Sequence, residues 1–64
     1  MVLIKKFQQI VKKFQAQEID GIIVDVQTAN AIITVYDRLN KRNRQRLLNM
    51  NIHEMARVAW QLIN

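Results

Sequence analysis

Apolar residues recur at Leu3, Ile4, Phe7, Ile10, Val11 and Phe14, spacings of three, four and seven that lay them along one stripe of a helix. Lys5, Lys6, Gln9, Lys12 and Lys13 take the opposite side. The pattern predicts an amphipathic helix over about residues 2–17. It breaks at Asp20-Gly21, a turn pair in which Gly supplies positive φ at little cost and Asp can bond its own backbone. The β-branched run from Ile22 to Val26 suits a short strand, but at that length periodicity does not separate a strand from a helical lead-in. No second strand candidate is visible, so a strand at 22–26 is expected to pair only across a dimer.

A second helix is expected over 26–40, capped by Asp25 or Thr28. Ala29, Ile32, Ile33, Val35, Tyr36 and Leu39 share one of its faces, and Asn30, Thr34, Asp37 and Arg38 the other. Asn40 is a poor interior residue and a good cap, so it ends this helix and starts a third over 41–49. Asn51 repeats the device with Glu54 three residues on, the spacing of a capping box, and opens a fourth helix over 52–63. The apolar residues of that helix, Ile52, Met55, Ala56, Val58, Ala59, Trp60, Leu62 and Ile63, span roughly 200° at 100° per residue. One neighbouring helix does not need so wide an arc. The fourth helix is therefore expected either to be central or to be covered once by its own chain and once by a partner.

The fold expected is all-α: one domain over residues 1–64, a compact bundle of four short helices, with self-association as a route to completing it. Its expected core is Leu3, Phe7, Ile10, Phe14, Ile32, Val35, Tyr36, Leu39, Leu48, Met55, Val58, Ala59 and Leu62. At 64 residues the chain is near the lower size at which a domain folds alone. The absence of cysteine removes disulfides and cysteine-ligated zinc as sources of stability, and fits an intracellular protein. No apolar run is long enough to span a bilayer, and the first residues make a poor signal peptide.

Ten basic and five acidic residues give a net charge of +5, which points to an anionic partner without choosing among nucleic acid, membrane surface and acidic protein. Catalytic chemistry is poorly supplied. The chain has no serine or cysteine and one histidine, and its only side-chain hydroxyls are Thr28, Thr34 and Tyr36. Its carboxylates are Glu18, Asp20, Asp25, Asp37 and Glu54; the first three crowd the central turn but do not follow an EF-hand spacing. The stretch from His53 departs from the His-Glu-x-x-His zinc motif at Arg57, where the second ligand belongs. A single glycine rules out a glycine-rich phosphate loop. No catalytic, cofactor-binding or metal-binding residue is assigned, and neither a cofactor nor a small-molecule substrate is expected.

The leading expectation is a non-catalytic binding module that works through a helical protein–protein interface, with itself or with a larger protein. Trp60 sits at the edge of the fourth helix's apolar arc beside His53 and Arg57, and Trp, Met and Arg are enriched at such contacts. Trp60, Met55, Arg57, His53 and Ile63 are the candidate interface. The alternative is nucleic-acid binding by Arg38, Lys41, Arg42, Arg44 and Arg46, a run without an acid from Arg38 onward. On a helical wheel Lys41, Arg42, Gln45, Arg46 and Asn49 share an arc, while Leu47, Leu48 and Arg44 turn the other way. Neither the pattern of a helix-turn-helix nor RNP-type aromatics accompany it, and a β-ribbon at 22–26 would present apolar groups and an acid to the bases. A third reading has the first helix lie on a membrane surface, lysines outward and Phe and Ile inward.

Overall fold

A computed structural model describes residues 3–63. Four helices and one short hairpin follow each other as α1 (Leu3–Lys13), β1 (Gln17–Ile19), β2 (Ile22–Val24), α2 (Val26–Arg38), α3 (Lys41–Leu48) and α4 (Ile52–Ile63). The chain is a compact, mostly helical globule of four helices. The expected start of α1 at Val2 lies outside the described residues.

Helix α1 ends four residues before the expected limit. Phe14 takes the left-handed conformation at φ 55°. Its N–H donates to the Val11 carbonyl and the Gln15 N–H donates to the Ile10 carbonyl, both at 3.3 Å. These are the paired bonds of a Schellman motif, with Phe14 where Gly is the usual occupant. The reversal turns Phe14 outward, 81% exposed, so it is not a core residue as its spacing suggested.

The released segment becomes β1. It pairs antiparallel with β2, placing Gln17 opposite Val24, Glu18 opposite Ile23 and Ile19 opposite Ile22. Asp20 at φ 53° and Gly21 at φ 80° close the loop. Positive φ at both positions is the type I′ hairpin turn, whose twist matches that of the flanking strands. The partner strand expected from a second molecule is thus supplied by this chain. Ile19 and Val24 point into the core, whereas Glu18 and Ile23 face outward.

The remaining helix starts follow their caps. Asp25 accepts from the Thr28 N–H at 2.7 Å, Asn40 from the Asn43 N–H at 2.9 Å, and Asn51 from the Glu54 N–H at 2.9 Å. Asn51 and Glu54 also bond through their side chains at 3.1 Å. That contact replaces the side-chain-to-backbone return bond of a full capping box.

The central helix is α2, not α4: α2 packs against α1 and also against α4. Ala29 and Ala31 are buried on it, and small side chains there let the neighbouring helices approach closely. Phe7, Ile10, Ile32, Val35, Met55 and Ala59 of the expected core are buried, joined by Ile4, Ile19, Val24, Leu47 and Ile52. Leu3, Tyr36, Leu39 and Val58 pack at the margin. Leu47 rather than Leu48 is the fully buried leucine of α3, and Leu62 is exposed. Among the described residues no polar or charged side chain is buried.

Candidate functional site

Three surface regions carry the residues singled out by the sequence. The first is the outer flank of α4. Trp60 is 38% exposed and Ile63 40%, so two large apolar groups stand open one turn apart near the end of the helix. His53 and Arg57 are exposed on the same helix. Met55 is not part of this surface. It is 1% exposed and fills the core, because it lies on the side of α4 that faces the rest of the chain. The candidate interface therefore reduces to Trp60, Ile63, Arg57 and His53; Leu62 lies on the other flank of the helix, with Val58.

The second region lies where α2 hands over to α3. Arg44 is turned back onto the end of α2: its Nε–H donates to the Tyr36 carbonyl at 2.8 Å and its Nη2 donates to the Asp37 carbonyl at 3.3 Å. Its guanidinium carbon lies 4.7 Å from the centre of the Tyr36 ring. The Tyr36 and Asp37 carbonyls stand at the negative end of the helix dipole, and the Tyr36 carbonyl, which also accepts from the Leu39 N–H at 3.2 Å, gains a charged second donor here. Arg44 is thus engaged within the chain and differs in kind from Arg38, Lys41, Arg42 and Arg46, which are exposed. An open depression of about 640 Å³ adjoins it, lined by Tyr36, Lys41, Arg44, Gln45, Leu48 and Asn49.

The third region is a shallower groove of about 220 Å³ between α3 and α4. Leu39, Leu47, Met50, Val58 and Leu62 line it, with Asn43 and Arg46 at its edge. It sits on the opposite flank of α4 from Trp60, since residues 58 and 60 are about 200° apart on the helix. The apolar arc of α4 is therefore wide because it serves the core in its middle and leaves a flank open on either side.

The apolar stripe of α1 is committed inward through Ile4, Phe7 and Ile10, leaving its lysines outside. Thr34 spends its hydroxyl on the Asn30 carbonyl at 2.8 Å. Among the described residues no three His, Asp or Glu side chains come together as a metal site would require, so the acids of the hairpin do not converge. Nor, among the described residues, is any helix long and apolar enough to cross a membrane. Asp25 has its carboxyl held below the usual carboxylate range, first by the Thr28 hydroxyl and then by the Thr28 N–H. That shift belongs to a helix cap and not to a cleft.

The contribution of Tyr36, Gln45, Leu48 and Asn49 to the α2–α3 depression is not visible from helical spacing. The one signal available is that Arg44 falls on the inward side of α3 with Leu47 and Leu48, an odd place for a free cation. No known protein family, curated protein or solved structure matches the chain.

Proposed function

We propose that the chain is a non-catalytic binding module that engages a helical protein partner through the outer flank of α4, with a second copy of the chain as that partner. The observation that carries this reading is the exposed pair Trp60 and Ile63, one turn apart on the same flank at the end of one helix. A small soluble domain gains little by holding an exposed Trp, whereas a buried Trp is among the commonest anchors of an interface. The small size supports it too, since docking of two such flanks adds apolar burial that a 64-residue core can use.

Trp60 is the sole tryptophan and reports on its own burial. Light scattering and tryptophan emission, followed together over a dilution series, should show mass rising above 7.6 kDa as the emission moves to the blue. Trp60→Ala should weaken the association by about 2 kcal/mol or more, as anchors do. Two copies at +5 repel each other, so added salt should strengthen the association. A monomer at every concentration and salt level, with unchanged emission, would rule out a second copy as the partner.

A further inference from the structure

The depression beside α3 has a chemistry that the α4 reading does not use, and it lies on a different part of the molecule. Its six lining residues include two cations, Lys41 and Arg44, two amides, Gln45 and Asn49, one aromatic ring, Tyr36, and no acid. Its volume of about 640 Å³ falls within the range of sites that hold small organic groups. Arg44 is fixed: two carbonyl bonds and the Tyr36 ring hold its guanidinium in one orientation. A guanidinium held this way is a positively charged plane fixed beside the Tyr36 ring. Such planes stack on nucleobases, as aromatic rings do. Lys41 stands at the rim, with Arg38 and Arg42 exposed nearby in sequence, where a phosphate backbone leaving the depression would find cations. Gln45 and Asn49, one helical turn apart, offer donors and acceptors to a base edge.

We infer that this depression binds a planar base together with its phosphate, and that the source is single-stranded nucleic acid. A duplex keeps its bases stacked within itself and presents none to a side-chain plane, so single strands are the form that this geometry suits. The basic surface from Arg38 to Arg46 then acts as the electrostatic track and the Arg44–Tyr36 stack as the base platform.

The test is fluorescence anisotropy with a fluorescein-labelled single strand of about ten nucleotides, set beside an abasic strand of equal phosphate count. The natural strand should bind at least about tenfold tighter, the effect of stacking a base. Lys41→Gln should lower the log–log salt slope by about 0.7, the loss of one phosphate contact to a single strand. Gln45→Glu puts an acid into the depression without touching the helix cap, and should remove the advantage of the natural strand. Lys12→Gln, on the outer side of α1, should leave that advantage intact. Equal affinity for natural and abasic strands would overturn the base platform, and an unchanged preference in Gln45→Glu would overturn its location. A mononucleotide that displaces the strand at equal concentration would overturn the single-strand assignment and make the free nucleotide the ligand. Binding of nucleic acid should weaken with salt, the reverse of the α4 association, so the two proposals fail independently.

Discussion

Replacing Arg44 by Ala removes a clamp that local sequence does not advertise. The Nε–H bond to the Tyr36 carbonyl, 2.8 Å and partly buried, is charge-assisted and contributes about 1.5–3 kcal/mol on the scale of such bonds. The 3.3 Å bond to the Asp37 carbonyl is longer and solvent-exposed, so it adds little. Cation–π contact with Tyr36 at 4.7 Å contributes about 0.5–1 kcal/mol. Ala is the better helix former, which returns a few tenths. Because these terms share one side chain and are not additive, a net loss of about 2 kcal/mol is expected. A domain of 64 residues has on the order of 3–10 kcal/mol in total at ~0.05–0.15 per residue, so this is a large fraction. Urea unfolding followed by circular dichroism, at fixed low protein concentration, should show the midpoint falling by about 2 M at a slope near 1 kcal/mol/M. Tyr36→Phe should leave the midpoint in place, because the acceptor is the backbone carbonyl and the ring survives. Arg44→Lys should fall between the two. A midpoint shift under about 0.5 M in Arg44→Ala, with the slope unchanged, would mean that the clamp contributes nothing and that Arg44 is only another surface cation.

Phe14→Gly should be neutral or stabilise the protein by about 1 kcal/mol, since glycine relieves the left-handed backbone at Phe14 and little packing is lost; a core phenylalanine would instead cost about 3–5 kcal/mol. Gly21→Ala should destabilise by about 1 kcal/mol in the same denaturation assay. A Cβ there meets nothing within 4 Å, so the cost is purely that of φ +80°. The lowered pKa of Asp25 binds the proton less readily in the folded state than in the unfolded one. Its stabilisation is complete above the ordinary Asp value and is lost as pH falls through the lower, folded value. Asp25→Asn keeps an acceptor but not the titration, so its urea midpoint should depend less on pH, as pH falls below the ordinary Asp value, than that of the parent protein.

Helix starts were the most legible feature of the chain. Asp25, Asn40 and Asn51 each accept from the backbone three residues on, because a short polar side chain before an apolar run has few other uses. The stop of α1 was hidden. Val11 and Phe14 continue the helical period, and only the backbone reversal at Phe14, a position without Gly or Asn, ends it. The hidden stop conceals β1, and with it the partner of β2. The place of Met55 is hidden for a different reason: a wide apolar arc says how much of α4 avoids water, but not which part meets the chain and which is left open. Ala29 and Ala31 carry no strong burial signal, so the central place of α2 could not be read from its period. Among the five basic candidates, Arg44 departs from the others through contacts with residues eight and seven positions earlier, across a helix corner that spacing rules do not span.

The shared position of α2 also bears on how the chain reaches its fold. Residues 3–38 form a contiguous unit in which α1, the hairpin and α2 meet through short loops, so their contacts close at low entropic cost and can form early. Helix α4 then docks on a surface of α2 that is already in place. Truncating Ile32 should accordingly slow folding, whereas truncating Ile52 at the start of α4 should chiefly speed unfolding. The docking of α4 buries Ile52, Met55 and Ala59 against the rest of the chain, so its undocking uncovers that apolar face together with the flank that carries Trp60.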